Sequence, residues 1–464
     1  MHYLPVIGLE IHVQPKTQSK MFCGCGADIF NAEPNTRTCP VCLGLPGALP
    51  VPNKVAIEKT ILLGLSLNGS IAETTNFDRK NYFYPDLPKG YQISQYKSPI
   101  VSGGELTFVR PNGTEKTVVF ERIHLEEDTG KLMHVSKGGE EYTLIDFNRS
   151  GMPLIEIVTG FPPQLHSPED VRLFLRKLRQ YLRYTNVSDA NMEEGTMRLE
   201  PNVSVAQITE DLVKDGVSNE IISLEDLINP EFDLPPFKVE LKNINSFKYA
   251  EKAVEFEIHR QIGLLKKKEV PVQETRGWDE HKNVTVSQRL KEEAHDYRYF
   301  PEPDIPPMTF SPKYIDKIAS RLSETPADLY ATLITQVGLQ ADDAETVLEK
   351  PEMLKYFMAA KEQIPNEKLR EFCVKMINQP ELMTDEPQAV FAALEAEAAS
   401  AIDDKSELQK LALEVIAQNP EKAEEFKAGN ENLIQFFMGQ IMAKTKGKAS
   451  PQVAIKILQK SLRD

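Results

Sequence analysis

Two short stretches alternate apolar and polar residues with a period of two. Along Val6-Ile7-Gly8-Leu9-Glu10-Ile11-His12-Val13, an extended chain puts Leu9, Ile11 and Val13 on one side and Glu10 and His12 on the other. Arg122-Ile123-His124-Leu125-Glu126-Glu127-Asp128 repeats the pattern, with Arg122, His124, Glu126 and Asp128 on one side. If the two strands are neighbours, carboxylates and imidazoles gather above an apolar layer, as a divalent-metal site for phosphate chemistry requires. Further strands are expected at 117–125, 143–147, 153–158 and 237–242. Helical spacing of Ile57, Ile61 and Leu65 predicts a helix over about 53–67. Ser167-Pro168-Glu169-Asp170 reads as a capped helix start, followed by the stripe Val171, Leu175, Leu178, Leu182. Strands and helices mix without a strict βαβ rhythm, which predicts an α+β domain with antiparallel pairing.

The pattern changes after Tyr299-Phe300-Pro301-Glu302-Pro303-Asp304. A proline-rich hinge places a boundary near 305–312, and helical periodicity dominates from about 313 to 426. A further helix starts at Asn430 and is broken by Lys444-Thr445-Lys446-Gly447-Lys448. The predicted division is 1–304, 305–405 and 406–464.

Length and charge narrow the class. A chain of 464 residues needs two to four domains. No apolar run is long enough to span a membrane, and Met1-His2-Tyr3-Leu4-Pro5 opens no signal peptide, so a cytoplasmic location is expected. The net charge of −15 excludes a generally basic nucleic-acid coat and leaves local patches for RNA contact. Residues 440–464 form one such patch, with five Lys and one Arg against one Asp.

Four of the five cysteines fall in Cys23-Gly24-Cys25 and Cys39-Pro40-Val41-Cys42. Two close pairs joined by a short loop suit a tetrahedral Zn²⁺ knuckle at 23–42, closed by four thiolates and therefore structural; the plainer alternative is four reduced thiols. The Glu and His faces have a plain reading too, as the outer side of a half-buried sheet. An acidic run at Met192-Glu193-Glu194-Gly195 and Glu200 favours the metal reading. Mg²⁺ prefers oxygen ligands, so His12 could instead orient a water. Arg198, Arg276, Arg289, Lys291 and Arg298 are candidate nucleotide-phosphate contacts, each also readable as a surface ion pair. There is no GxxxxGK[ST] loop. Arg172, Arg176, Arg179 and Arg183 share one helix face, either solvated or on a phosphate backbone. No nucleophile elbow or Ser/His/Asp set marks an amidase.

Taken in order, the motifs resemble one family. They are Val6 to His12, Phe77-Asp78-Arg79-Lys80-Asn81-Tyr82-Phe83-Tyr84-Pro85-Asp86, Tyr91-Gln92-Ile93-Ser94-Gln95 and His124-Leu125-Glu126-Glu127-Asp128-Thr129-Gly130-Lys131. Pro153-Leu154-Ile155-Glu156-Ile157, Met192 to Gly195, Glu240-Leu241-Lys242-Asn243-Ile244-Asn245-Ser246-Phe247 and Asp296-Tyr297-Arg298-Tyr299-Phe300-Pro301-Glu302-Pro303-Asp304 follow. Together they resemble the B subunits of glutamine-dependent aspartyl/glutamyl-tRNA amidotransferases, the GatB family. The paired cysteines resemble the zinc site of many members.

The resemblance implies a cradle domain related to glutamine synthetase and the guanido kinases, then an all-α domain and a YqeY-like tail that contacts tRNA. It implies ATP- and Mg²⁺-dependent phosphorylation of the side-chain carboxylate of Glu-tRNA(Gln) or Asp-tRNA(Asn). Ammonia channelled from an amidase A subunit (GatA) then displaces phosphate, with a small C subunit (GatC) completing the enzyme. By the same resemblance Glu10, His12, Glu126, Glu127, Glu200 and Glu240 match metal-holding positions, and Lys80 and Tyr82 lie near the ammonia path. Strict alternation would put Glu126 and Glu127 on opposite faces unless a bulge or strand end intervenes.

This chain departs from the family in three places. Arg198-Leu199-Glu200-Pro201-Asn202 stands where members usually carry Arg-Cys-Asp-Ala-Asn. The stretch from Val205 to Lys238 is longer than the expected short hairpin, and residues 350–425 match weakly. The alternatives are the archaeal-type E subunit, which pairs with a different amidase, and a non-catalytic zinc-bearing RNA-binding protein.

Overall fold

The computed structural model describes residues 1–290, 297–322, 324–399, 405–427, 430, 432–445, 449 and 451–463. They form two compact units, Met1–Leu329 and Tyr330–Asp464. The first is mixed α/β and the second is built of helices. Unit 1 runs past the expected boundary at 304 for a physical reason. The strand Met308–Thr309 pairs with Thr74–Thr75, and Tyr314 on the helix Pro312–Ala319 donates to Glu58 at 3.1 Å.

The main sheet of unit 1 has ten strands. They are β1 His2–Val13, β2 Ser70–Ile71, β3 Val101–Ser102, β4 Glu105–Val109 and β5 Glu115–Glu127, then β6 Pro153–Thr159, β7 Met197–Ile208, β8 Val239–Lys242, β9 Glu274–Asp279 and β10 Val284–Leu290. The spatial order is β10-β9-β8-β7-β1-β6-β5-β3-β2, with β4 also on β5. Every pairing is antiparallel except β8 with β9. The predicted strand at 143–147 falls instead in a separate ribbon, Lys131–Lys137 with Glu140–Asp146.

Strands β1 and β5 are not neighbours. β6 lies between them, with His12 opposite Glu156 and Glu156 opposite His124. Behind the sheet, Leu9, Ile11 and Val13 join Ile123, Leu125, Ile155, Ile157 and Leu199 in one apolar layer. Three helices cover it: α1 Lys54–Ser66, α2 Pro168–Tyr184 and α3 Phe247–Lys266. Each begins at a side-chain cap, of which the sequence signals Ser167. Asn53 accepts from the Val55 and Ala56 N–H groups, Ser167 from Asp170 and Ser246 from Tyr249. Ile57 and Ile61 of α1, Val171 and Leu175 of α2, and Val254 and Ile258 of α3 reach the layer. Burying each such side chain is worth about 1.5–3 kcal/mol, which makes this face the foundation of the fold.

The front face is divided. At one end, Leu4 and Val6 of β1 and Ala206 and Ile208 of β7 form a small core with Val213, Ile222 and Leu227. The long 205–238 stretch is therefore a flap, with two single-turn helices at Glu210–Leu212 and Leu224–Asp226, laid over the apolar end of the front face. The rest of that face, from Gly8 onward, carries the polar residues.

Unit 2 has its own apolar interior. Leu408, Ala412, Val415, Phe437, Ile441, Ala454, Leu458 and Leu462 share one core within 405–463. No described helix is long and apolar enough to cross a membrane.

Candidate active site

Register determines which side chains meet. On the front face β5 contributes His124 and Glu126, β6 Glu156, β1 Glu10 and His12, β7 Arg198, Glu200 and Asn202, and β8 Glu240 and Lys242. Directly opposed pairs include Glu10 with Glu200, His12 with Arg198, and Asn202 with Glu240.

One half of this face mixes imidazoles and carboxylates. His12 Nε2 lies 3.3 Å from Glu126 and 3.5 Å from Glu156, and His124 Nε2 lies 3.3 Å from Glu156. One ligand atom each from His12, Glu126 and Glu156 falls within 4.8 Å of the others, close enough to share an ion. Burial opposes charge on His12, but hydrogen bonds to Glu126 and Glu156 carry its imidazole well above the usual range. Burial also opposes ionisation of Glu156, and is outweighed by His124 and His12, which hold the carboxyl well below its usual range. Glu126 is lowered likewise, against burial and Glu156, by His12 and Lys80. Ser94 donates to Glu126 at 3.0 Å.

The other half holds oxygen donors around an ammonium. Lys242 Nζ stands 3.1 Å from Glu200 and 3.4 Å from Glu240. Asn202 donates to Glu10 at 3.2 Å and Thr275 to Glu240 at 2.9 Å. Burial pushes Glu200 up, and a hydrogen bond with Glu240 adds to it, against the pull of Lys242.

A wall of aromatic residues borders the first half. The short strands Asp78–Asn81, Tyr91–Ser94 and Phe300–Pro301 form a three-stranded sheet. Arg79 fastens it, donating to the fully buried Glu302 carboxylate at 2.7 and 2.8 Å. The Lys80 ammonium sits 5.0 Å from the Tyr297 ring centre. Burial opposes its charge, and Glu126 and Glu156 overcome that, raising it above the usual lysine range. Tyr82 packs edge-on against Tyr297, and its hydroxyl donates to Gln92 at 3.2 Å. Tyr299 stacks on Tyr96 with ring centres 4.5 Å apart, and burial raises its phenol to about 12.

The sequence-derived candidates divide. Glu10, His12, Glu126, Glu200 and Glu240 share the front face, with Lys80 and Tyr82 at its border. Glu127 does not join them. Its alternation holds to the strand end, and its carboxylate turns away to pair with Lys89 at 2.5 Å and to accept from the Ile93 N–H at 2.9 Å. Arg276 also faces the other way, opposite Leu241 in the register. It donates to Glu274 at 2.7 Å and lies 3.6 Å from Glu257 of α3. Arg198 is on the front face but is engaged by Asp128, which it contacts at 3.3 Å and more closely through Nη2. Arg298 has a left-handed backbone (φ 42°), and its carbonyl accepts from Asn81 at 2.8 Å. Only the backbone of Arg289 is described, and Lys291 lies outside the described residues.

Sequence reasoning overlooks two residues. Glu156 and Lys242 both sit in motifs read from the sequence, and Lys242 has Glu240 two residues before it, but only the strand order reveals that Glu156 stands centrally. Two arginines of the α2 face turn out to be engaged with α3. Arg172 pairs with Glu251 at 3.0 Å, and Arg179 lies 4.7 Å over the Phe247 ring.

A second cluster lies apart from the front face. The sulfurs of Cys23, Cys25, Cys39 and Cys42 are all within 4.8 Å of one another. Tetrahedral Zn–S bonds of about 2.3 Å need sulfurs about 3.8 Å apart, so a small contraction closes the set.

Comparison with known proteins agrees with the two-part architecture. The profile described as the GatB/GatE catalytic domain matches residues 5–316, and that described as the GatB domain matches 318–462. The chain is similar to the B subunit of the aspartyl/glutamyl-tRNA(Asn/Gln) amidotransferase of Thermodesulfovibrio yellowstonii, 40% identical with all of both chains covered. It is 42% identical to the protein of the same name from Thermosipho melanesiensis, again over all of both chains. For Thermotoga maritima the figure is 38%, covering all of this chain and 99% of the relative. The first profile spans B and E subunits alike, but the second profile and these relatives are B-type. The chain therefore belongs to the GatB family, the B subunits of aspartyl/glutamyl-tRNA amidotransferases.

Proposed function

We propose that this chain activates the side-chain carboxylate of Glu-tRNA(Gln), Asp-tRNA(Asn) or both by ATP-dependent phosphorylation. Ammonia then replaces the phosphate, giving Gln-tRNA(Gln) or Asn-tRNA(Asn). The reaction makes the chain part of a carbon–nitrogen ligase, working in the cytoplasm with an amidase A subunit and a small C subunit. The observation that carries the reading is the continuous front face, where an imidazole–carboxylate half adjoins an all-oxygen half beneath a single lysine.

The chemistry explains why such a face is needed. A carboxylate resists ammonia because its leaving group would be oxide, and phosphorylation supplies a better one. The acyl phosphate so formed must be kept from water. Lys80 and Tyr82 border the ammonia path in this reading, and the Lys80 ammonium would offset developing negative charge there. Tyr82, Tyr297 and Tyr299 line the same border with aromatic surface and limit water there. Arg198, held by Asp128, presents a fixed cation for phosphate oxygens.

The donor sets fit their implied ions differently. Glu10, Glu200 and Glu240 offer only oxygen, which suits Mg²⁺ once Lys242 swings aside. His12, Glu126 and Glu156 offer one nitrogen and carboxylates, a set that also accommodates Mg²⁺ with waters completing its shell. Bound there, Mg²⁺ would neutralise nucleotide phosphate oxygens. The four cysteines suit structural Zn²⁺.

Within this reading, the Met1–Leu329 unit forms a glutamine synthetase/guanido kinase-like cradle, followed by a helical domain to about 405 and a YqeY-like tail over 406–464 that docks tRNA. The test is amide formation on Glu-tRNA(Gln) and Asp-tRNA(Asn) with the partner subunits, ATP and free ammonia. Glu10→Gln and Glu126→Gln should abolish it, and intact activity in both variants would remove the proposal.

A further inference from the structure

Lys20 is fully buried, yet no carboxylate pairs with it among the described residues. Its Nζ donates to the Ser150 carbonyl at 2.7 Å and the Phe147 carbonyl at 3.5 Å, and lies 3.6 Å from Cys42 Sγ. An ammonium taken out of water needs a compensating anion, and neutral carbonyls do not supply one. One divalent ion held by four thiolates does, since it leaves two net negative charges next to Lys20. We propose that Lys20 is the counter-cation of a four-thiolate metal centre at Cys23, Cys25, Cys39 and Cys42. We further infer that this pairing fixes the 147–151 turn against the front face.

The second part follows from what the turn holds. On the cysteine side, Ser150 Oγ donates to the Cys42 carbonyl at 3.1 Å and the Met21 N–H to the Gly151 carbonyl at 2.8 Å. Gly151 has φ 80°, and a Cβ there would come within 3.1 Å of Cys42 Cβ, so the turn is seated directly on a metal ligand. On the other side, the Gly151 N–H donates to the Asp128 carbonyl at 2.9 Å, and the Asp128 N–H donates to Met152 at 2.7 Å. Arg149 lies 3.4 Å from the Asp128 carboxylate, the group that holds Arg198 on the front face. The path from the cysteines to Arg198 thus runs through Lys20, the turn and Asp128. Lys20 is a positioning residue that acts through the metal centre.

The inference rests on reading the cysteines as a metal centre, and the experiment separates the two. The full chain, loaded with Zn²⁺ or Co²⁺, is compared with Lys20→Met, Lys20→Gln and Asn148→Ala. Asn148→Ala loosens the same turn by removing bonds to the Arg37 N–H and the Glu33 carbonyl, both 2.7 Å, without changing charge. Both Lys20 variants should release zinc to a chromophoric chelator at least tenfold faster than the parent. Their sulfur-to-cobalt charge-transfer band should move to longer wavelength, because the thiolates lose a neighbouring cation. Asn148→Ala should leave the band in place. Lys20→Gln keeps a donor for Ser150, so an unshifted band in that variant overturns the proposal, as does release at the parent rate. A parent chain that holds neither zinc nor cobalt stoichiometrically overturns the metal reading itself.

Discussion

Glu156 receives His124 on one side, with Nε2 at 3.3 Å, and His12 on the other at 3.5 Å. This one carboxylate joins β1 to β5 across β6, and Glu126 and Lys80 depend on its charge. Glu156→Gln keeps the shape and removes the charge. Loss of a group that holds or orients a metal ligand typically weakens metal binding by about 10–100-fold. The variant should therefore stay folded while the Mg²⁺ concentration needed for ammonia-dependent amide formation rises by about that factor. A Mg²⁺ titration of that reaction checks it, and a parent-like titration curve would show that Glu156 has no part in the site.

Glu127 gives the opposite expectation from its neighbour Glu126. Its side chain is 3% exposed and that of Lys89 is 9% exposed, so the pair is effectively out of water. Removing one partner of a buried pair leaves the other uncompensated, at a cost of about 3–5 kcal/mol. Glu127→Gln should lower stability by an amount of that order while the Mg²⁺ dependence of the reaction stays unchanged. Denaturation curves alongside the Mg²⁺ titration distinguish the two glutamates. A shifted Mg²⁺ dependence with unaltered stability would restore Glu127 to the metal face.

These two neighbours show what the sequence makes legible. Period-two alternation places Glu10, His12 and Glu126 on one side because that depends only on local backbone geometry, and it also puts Glu127 on the other side. The resemblance to the family argues for including Glu127 with the metal ligands, whereas its side chain follows the local rule and turns to Lys89. The cap at Ser167 is legible for the same reason. Strand order is not local. The insertion of β6 between β1 and β5 depends on long-range packing, so the central place of Glu156 is hidden although its motif is plain. Arg276 lies off the front face because the parallel pairing of β8 with β9 sets it opposite Leu241, facing α3. The flap at 205–238 becomes intelligible only when Leu4 and Val6 are seen to need cover.

His166 makes the fold sensitive to mild acid. Burial lowers its imidazole to about 4, and its Nδ1 is 2.7 Å from the Pro5 carbonyl. In the unfolded chain the same group titrates near 6.5. Because the folded value is the lower one, the unfolded chain binds the extra proton between the two. The contribution of His166 to stability is therefore full above about pH 6.5 and is lost as pH falls towards 4. The full span corresponds to about 3 kcal/mol. His166→Phe should flatten this part of the profile, so the gap in melting temperature between the parent and the variant should change from pH 7 to pH 5. A gap that does not change would show that His166 takes up its proton equally in the folded and unfolded chain.

The arginines of α2 and the lysines of the C-terminal helix Pro451–Arg463 should respond differently to tRNA. Arg172 and Arg179 are committed to Glu251 and Phe247 of α3, so they serve helix packing. Lys456 and Lys460 are exposed and four residues apart, on one face of a helix whose Ala454, Leu458 and Leu462 are buried. Alanine at these two lysines leaves that core intact, which deletion of 440–464 would not. Removing one lysine–phosphate interaction should reduce the slope of log affinity against log salt by about 0.9. Lys456→Ala with Lys460→Ala should thus flatten the salt dependence of tRNA binding by up to about twice that. Arg172→Ala should leave the slope unchanged and lower the melting temperature. Binding measured across a range of salt concentrations decides the matter. A flattened slope in Arg172→Ala, with none in the lysine pair, would move the tRNA interaction from the C-terminal helix to α2.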